Sequence, residues 1–205
     1  MMLPEVVVFD LGKVLLDFDY TRAAQGIASK GTVTAQEVKD LINQTPLLLR
    51  YETGLMSKVE FYEAIRSATG FTGDVEEFGR IFGDIFEPMP EMIELHGALR
   101  KKGIPTFIFS NTSELAVAHI RKAFPFFNEF NGYILSYEHG AMKPQTKLYE
   151  VVEQKTGHRR EKIIYIDDRP ENIEAGAARD WQVILQETPA KSRAALRKAG
   201  LLNQA

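Results

Sequence analysis

The 205-residue sequence contains no cysteine, which excludes disulfide bonds, thiolate nucleophiles and cysteine-ligated metal sites. It also lacks a secretory signal pattern and any apolar run near the ~20 residues that a membrane helix needs. Neither sign of charge dominates, because 25 Lys and Arg residues oppose 28 Asp and Glu residues and leave a net charge of −3. This balance argues against a nucleic-acid-binding protein. We therefore expect a cytoplasmic protein with no membrane or nucleic-acid partner, and the sequence leaves its oligomeric state open.

The sequence does contain enough apolar residues, 44% of the total, to form a sizeable core. Short runs rich in Val, Ile and Phe are typical of buried strands, and they lie at residues 5–10, 104–110, 132–136, 162–167 and 182–185. Helical patterns lie among them at residues 91–102, 113–123, 146–156 and 171–179, and a final helix is predicted at 189–202. This alternation predicts an α/β fold of the Rossmann-like type, with a parallel sheet between helices.

The region after the first strand departs from this alternation. It has helical patterns at residues 34–49, 57–68 and 74–86 and no convincing strand pattern. Thr34 with Glu37, and Ser57 with Glu60, have the spacing of capping boxes, which predicts a helix start at each place. We therefore predict an α-helical cap at residues 16–86, inserted into a core domain formed by residues 1–15 and 87–205.

Polar residues stand where predicted strands of the sheet end, the edge at which open α/β sheets bind ligands. Asp10 ends the first run, and Gly12 lets the backbone approach a ligand closely. Ser110 and Asn111 end the second run, at a helix start that suits an anionic oxygen. Each feature also has an ordinary explanation. An Asp at the end of a strand often accepts hydrogen bonds from nearby backbone N–H groups, and Ser often caps a helix.

Two further segments complete the set. Lys143 precedes Pro144 shortly after the third run, and a lone lysine of this kind is usually only solvated. Asp167 and Asp168 follow the fourth run, where adjacent carboxylates repel each other unless a divalent cation lies between them. The alternative for this pair is that one Asp caps the next helix. We favour the metal site because all four segments end strands of one predicted sheet.

Taken together, the four segments resemble the motifs of the haloacid dehalogenase-like superfamily. They read DLGKVLLDFD at residues 10–19, SNTSE at 110–114, EHGAMKP at 138–144 and DDRPENIEAG at 167–176. The resemblance covers essentially the whole chain, including the position of the helical cap. Within the superfamily the segments are most similar to a bacterial branch that includes sugar-phosphate phosphatases such as α-D-glucose-1-phosphate phosphatase.

The resemblance implies a magnesium-dependent hydrolase of small phosphate monoesters that forms an aspartyl-phosphate on Asp10. It implies that Mg²⁺ is held by Asp10, the carbonyl of Gly12 and Asp168, with Asp167 just outside. It further implies that the phosphoryl oxygens are bound by Ser110, Lys143 and the backbone N–H groups of Gly12 and Asn111, and that Asn172 orients the Asp pair or the lysine.

One departure concerns residue 12, where most phosphatases of the superfamily carry an Asp that serves as general acid and base. Gly12 cannot donate a proton, so the donor to the leaving group is unassigned; Asp17 and Asp19 are weak candidates. This departure keeps two alternatives open. One is a carbon–halogen hydrolase that needs no magnesium, although adjacent carboxylates have no use in such a site. The other is a catalytically weak binding or regulatory protein.

Substrate choice in this superfamily depends on the cap. Candidate cap residues in this sequence are Asp19, Tyr20, Arg22, Arg50, Tyr51 and Glu52. An Arg or Tyr on a helix is more often part of the surface or core than a ligand. The sequence does not identify the substrate.

Overall fold

The computed structural model describes residues 3–43 and 45–203. Its strands in chain order are β1 (Val6–Phe9), β2 (Leu16–Phe18), β3 (Phe86–Pro88), β4 (Thr106–Ser110), β5 (Gly132–Leu135), β6 (Ile163–Asp167) and β7 (Gln182–Leu185). Its helices are α1 (Tyr20–Ala28), α2 (Ala35–Ile42), α3 (Pro46–Glu52), α4 (Lys58–Thr69), α5 (Val75–Gly83), α6 (Pro90–Lys101), α7 (Glu114–Ala123), α8 (Ser136–His139), α9 (Thr146–Thr156), α10 (Pro170–Ala177) and α11 (Pro189–Lys198). Short 3₁₀ helices lie at Pro125–Glu129 and Arg160–Lys162.

A five-stranded parallel sheet confirms the predicted α/β fold. Its strand order is β5-β4-β1-β6-β7, so β1 lies at the centre. In the register of the sheet, Val8 of β1 pairs with Phe107 on one side and Tyr165 on the other. Every residue of β1 is buried, because apolar side chains and helices cover both faces of the sheet. This placement brings the ends of β4, β1 and β6 side by side.

The inserted region contains helices α1 to α5, which pack around an apolar cluster of their own that includes Phe61, Phe78 and Phe82. The capping boxes predicted at Thr34 and Ser57 are both present. The prediction of one helix over residues 34–49 is wrong, because α2 ends at Ile42 and α3 begins at Pro46. Proline lacks the N–H that a continuing helix needs but suits a first helical turn, so it begins a new helix here.

A short antiparallel ribbon joins the inserted region to the sheet domain. Leu16 of β2 pairs with Pro88 of β3, and Phe18 pairs with Phe86. We predict no strand in the inserted region, and this prediction is wrong at the two ends of the region, where β2 and β3 lie. The predicted helix over residues 74–86 is also too long, because α5 ends at Gly83. The proposed domain boundaries, at residues 16 and 86, fall in this ribbon.

No helix within the described residues is long and apolar enough to cross a membrane.

Candidate active site

Three of the predicted site residues lie at the ends of adjacent strands. Asp10 follows β1, Ser110 is the last residue of β4, and Asp167 is the last residue of β6. Because these strands are parallel neighbours, their carboxyl ends meet at one edge of the sheet. Residues that are up to 157 positions apart in the sequence thus come together at the place where a sheet of this kind binds ligands.

Lys143 lies between two carboxylates at this edge, those of Asp10 and Asp167. Its Nζ lies 2.9 Å from Oδ1 of Asp10, 2.7 Å from Oδ2 of Asp167 and 2.9 Å from the carbonyl oxygen of Phe109. An ammonium group has three N–H donors, so each has one acceptor. Burial alone would lower the pKa of Lys143, but the charges of Asp10 and Asp167 raise it above its ordinary value. The lysine is therefore held in place and positively charged.

Asp167 is fully buried and is bound on both oxygens. Tyr165 donates its hydroxyl to Oδ2, while the Arg169 N–H and Asn172 Nδ2 donate to Oδ1 at 2.8 and 3.0 Å. Burial alone would raise the pKa of Asp167, but the charge of Lys143 and these hydrogen bonds hold it below its ordinary value. Asp167 is thus an ionised group whose hydrogen bonds hold Lys143, Tyr165 and Asn172 in place.

The two oxygens of Asp10 differ in their contacts. Oδ1 accepts hydrogen bonds from the Leu11 N–H at 2.7 Å and from Lys143. Oδ2 has no hydrogen-bond partner within residues 3–43 and 45–203, and the side chain lines the cavity described below. Burial raises the pKa of Asp10, and the charge of Lys143 opposes this effect. The carboxylate is therefore oriented through one oxygen, and the other is left for a ligand.

Asp10, Asp167 and Asp168 form a group that fits a cation. One oxygen from each carboxylate can be chosen so that all three lie within 4.8 Å of one another. When all are ionised, three negative charges and the one positive charge of Lys143 leave a formal charge of −2. Burial, together with the charge of Asp167, raises the pKa of Asp168. A divalent cation with oxygen ligands would offset this repulsion.

Asn111 fixes the segment that carries Lys143. Its side-chain oxygen accepts the Lys143 N–H at 2.7 Å, and its Nδ2 donates to the Lys143 carbonyl at 3.1 Å. The sequence indicated only a backbone role for Asn111 in phosphate binding, and it gave no sign of this pairing across 32 residues. The side chain thus links the end of β4 to the lysine loop.

Gly12 lies against the ring of Phe18. A Cβ atom added at Gly12 would come within 2.9 Å of Cε1 of Phe18, closer than such atoms approach in folded proteins. The ring itself packs edge-on against Tyr20 and Phe86. The space that a side chain at residue 12 would occupy is therefore filled by an aromatic ring of the ribbon.

A cavity of about 580 Å³ opens above these groups, between the sheet edge and the helical cap. Its sheet-side wall includes Asp10, Ser110, Asn111, Lys143, Asp168 and Asn172, together with Gly12, Lys13, Thr112 and Arg169. Its cap-side wall consists of Tyr20, Asn43, Leu48, Leu49 and Glu52, with Phe18 and Phe86 from the ribbon. Ala116 and Met142 complete the lining with Leu11. Asn43, Leu48, Leu49, Phe86 and Met142 are not among the predicted site residues. Leu48 and Leu49 lie in α3, where apolar residues are usually core.

Only Tyr20 and Glu52 of the candidate cap residues line this cavity. The Asp19 side chain accepts the Thr21 N–H and caps α1. Arg22 forms exposed ion pairs with Asp84 and Glu87.

Arg50 is exposed on α3, away from the cavity lining. Tyr51 is buried, and its hydroxyl accepts the Leu115 N–H of α7 at 3.1 Å. A second contact is close by, where Ser136 Oγ donates to the Glu52 carbonyl at 2.5 Å and accepts the Thr112 N–H at 2.9 Å. The end of α3 is thus attached to the sheet domain through two polar contacts.

Comparison with known proteins gives a family match. The family model for haloacid dehalogenase-like hydrolases matches residues 4–179. The chain belongs to this hydrolase family. The match spans both the helical insertion and the strand-end residues, and it confirms the resemblance drawn from the four sequence segments.

Two curated relatives and one solved structure show what this hydrolase is similar to. A D-ribitol-5-phosphate phosphatase of Bacteroides thetaiotaomicron is 23% identical over 194 residues, which cover 91% of this chain and 94% of that protein. A sesquiterpene phosphatase, astK, of Aspergillus oryzae is 22% identical and covers 85% of each chain. The crystal structure of a HAD family enzyme from B. thetaiotaomicron, in complex with magnesium and inorganic phosphate, superposes with a TM-score of 0.76 at 21% identity, covering 88% of this chain and 93% of that one. At this identity the structural likeness shows the shared fold.

Proposed function

We propose that this hydrolase cleaves small phosphate monoesters, with sugar or polyol phosphates as the substrate class, through an aspartyl-phosphate on Asp10. The observation that carries the proposal is the arrangement of Asp10, Lys143 and the Asp pair at one sheet edge. Asp10 has one oriented oxygen and one free oxygen, and Lys143 lies 2.9 Å from the oriented one. Relatives of similar length act on a sugar-alcohol phosphate and a sesquiterpene phosphate by their names, which supports the reaction class.

Asp10 is the proposed nucleophile. Its free oxygen attacks phosphorus, the bond to the ester oxygen breaks, and the alcohol leaves; water then hydrolyses the aspartyl-phosphate and releases inorganic phosphate. The Ser110 hydroxyl and the backbone N–H groups of Gly12 and Asn111 are the proposed donors to the phosphoryl oxygens. Lys143 opposes the effect of burial on the pKa of Asp10, which favours the ionised form, and it reduces the repulsion between this carboxylate and the phosphate dianion. Because all its protons have protein acceptors, its contribution is mainly one of position and charge.

The proposed cofactor is Mg²⁺, which suits a site with a few carboxylate oxygens and water. Asp10, Asp168 and the carbonyl of Gly12 would hold it, and when bound it would supply positive charge to the phosphoryl group. Asp167 is less suited to direct ligation, since donors within the protein already occupy both its oxygens. The formal charge of −2 at this group of residues supports a divalent ion.

The cap-side wall supports an uncharged leaving group. Its described residues include no Lys or Arg, and the two basic residues at the rim have acidic partners, Lys13 with Asp17 and Arg169 with Glu171. A second phosphate or a carboxylate on the alcohol would therefore meet Glu52 without a free cation nearby. Hydroxyl groups suit Tyr20, Asn43 and Glu52, while the carbon skeleton suits the apolar side chains. This combination favours a neutral polyol or sugar.

The direct test is phosphate release from a panel of sugar, polyol and aryl phosphates, with and without Mg²⁺. We expect turnover that requires Mg²⁺, and we expect Asp10→Asn to lower it by at least about 10³-fold, because the amide is not a nucleophile of this kind. Asp40→Asn, an exposed carboxylate on α2, is the matched control and should retain full activity. Rapid quench with ³²P-labelled substrate should trap label on wild type but not on Asp10→Asn.

Gly12 is the observation that keeps the dehalogenase alternative open, because the usual acid is absent. Halide release from 2-chloropropionate without Mg²⁺, and no phosphate release from any ester, would replace the proposal with that reaction. Binding of Mg²⁺ and phosphate without turnover of any substrate would instead indicate a binding or regulatory protein.

A further inference from the structure

Glu52 occupies an unusual position on the cap-side wall of the cavity. Asp10, Asp168 and Glu52 are the carboxyl groups among the described residues that line it. Asp10 is the proposed nucleophile and Asp168 a proposed metal ligand, so neither is available to give a proton to the leaving group. Glu52 is the remaining acidic group that faces the same space.

The other candidates for a proton donor are unsuitable. Asp17 is exposed and forms an ion pair with Lys13, which lowers its pKa. Asp19 accepts hydrogen bonds from Thr21 at the start of α1, which lowers its pKa as well. Neither lines the cavity, and both are carboxylates rather than acids at neutral pH. Residue 12 has no side chain, and the ring of Phe18 fills the adjacent space.

The surroundings of Glu52 favour a protonated carboxyl group. Tyr20 donates its hydroxyl to Oε1 at 3.4 Å, and Oε2 has no hydrogen-bond partner among the described residues. No Lys or Arg in the described part of the chain forms an ion pair with this carboxylate. Burial raises the pKa of Glu52 to about 7, and the hydrogen bond from Tyr20 opposes this only weakly. Such a group can both give and accept a proton near neutral pH.

We infer that Glu52 is the general acid and base of this hydrolase, acting from the cap in place of the acidic residue missing at position 12. The inference rests on the proposed phosphatase function. As Asp10 attacks phosphorus, the electron pair of the breaking P–O bond passes to the ester oxygen, and Glu52 gives its proton to that oxygen. The products of this step are the neutral alcohol, the aspartyl-phosphate and the Glu52 carboxylate.

The second step restores both groups. Water attacks the aspartyl-phosphate, and the Glu52 carboxylate takes a proton from that water. The electron pair of the P–O bond to Asp10 returns to the Asp10 carboxylate, and inorganic phosphate is released. One residue thus gives a proton to the alcohol in the first step and takes a proton from water in the second.

The test uses the full-length enzyme at saturating Mg²⁺ and esters whose leaving groups differ in basicity: 4-nitrophenyl phosphate, phenyl phosphate and a polyol phosphate. For Glu52→Gln we expect kcat/KM to fall about 10²–10⁴-fold with the polyol ester, which needs a proton. With 4-nitrophenyl phosphate kcat/KM should fall less than about tenfold, because this leaving group departs as an anion. The dependence of log kcat/KM on leaving-group pKa should therefore be steeper in the variant.

A second measurement tests whether Glu52 acts as the general base in hydrolysis of the aspartyl-phosphate. Glu52→Gln should show a burst of 4-nitrophenol followed by slow turnover, since the aspartyl-phosphate accumulates when the base is missing. Glu76→Gln, an exposed carboxylate on α5, is the matched control and should behave as wild type. Thermal unfolding of both variants checks that they are folded.

Equal losses of kcat/KM for all three esters, or no loss, would overturn the role of Glu52 while leaving the proposed function intact. A wild-type enzyme without activity on any ester would overturn the proposed function itself and the inference with it.

Discussion

The two walls of the cavity differ in how completely their polar groups are paired. On the sheet side, Lys143 has an acceptor for each of its protons, and Asp167 has donors on both oxygens. On the cap side, the Glu52 carboxyl group has one long hydrogen bond and shares the wall with the apolar side chains of Leu48 and Leu49. The first arrangement holds charges in fixed positions, whereas the second leaves a single group whose proton is easily moved.

This difference indicates that the two walls have different roles. Fixed charges suit phosphoryl transfer, in which the same negative group is bound in every cycle. A weakly paired carboxyl in apolar surroundings suits a leaving group that must be bound, protonated and released. Substitutions on either wall should therefore change kcat/KM, and those on the sheet side should also lower the free energy of unfolding.

The largest expected effect is that of Lys143→Met, which removes the charge from the paired wall. Asp10 and Asp167 would be left buried without their cation, a change that typically costs about 3–5 kcal/mol of unfolding free energy. We also expect kcat/KM to fall by about 10²–10³-fold, since fixed charge near the transition state is lost. Urea unfolding and steady-state kinetics measure the two effects.

Lys191→Met is the control for that substitution, because Lys191 forms an exposed pair with Glu187. It should change neither property measurably. A Lys143→Met protein as stable as this control would show that the pairing does not stabilise the fold.

An intermediate effect is expected from Gly12→Ala, which disturbs the contact between the walls. The added methyl would meet the Phe18 ring at 2.9 Å, and overpacking of this kind typically costs about 1–3 kcal/mol. Gly97→Ala in α6 is the matched control, since nothing lies within 4 Å of the added atom, and Ala favours the helix. Thermal unfolding of the two variants gives the comparison, and equal melting temperatures would contradict the close fit.

The smallest effects should come from Arg22→Ala and Arg50→Ala. Both residues are exposed and lie outside the cavity, so kcat/KM for the best substrate should stay within about twofold of wild type. Steady-state kinetics is again the measurement. A tenfold loss in either variant would place an arginine in the substrate site and contradict the uncharged character of the cap-side wall.

The strand-end residues could be predicted from the sequence because two simple patterns coincide there. Runs such as residues 162–167 are apolar enough to be buried strands, and Asp167 ends its run with a charge. Parallel connectivity then brings Asp10, Ser110 and Asp167 to the same edge without any knowledge of distances. The five strands of the sheet were predictable for the same reason.

The parts that could not be predicted depend on contacts between distant residues. The ribbon strands are three residues long, too short for a pattern, and they form only because residues 16–18 and 86–88 meet. Likewise, the Asn111 side chain looks like a helix-start residue until the Lys143 backbone comes beside it. Thr45 and Pro46, by contrast, were a readable helix start that the interpretation as one helix overlooked.

The attachment at the end of α3 has a consequence for entry and exit of substrate. The Tyr51 hydroxyl and the Glu52 carbonyl contact the sheet domain through Leu115 and Ser136. While these bonds persist, the end of α3 keeps its position against the sheet domain as substrate enters and product leaves. Glu52 therefore stays on the cap-side wall of the cavity between the two proton transfers that we infer for it.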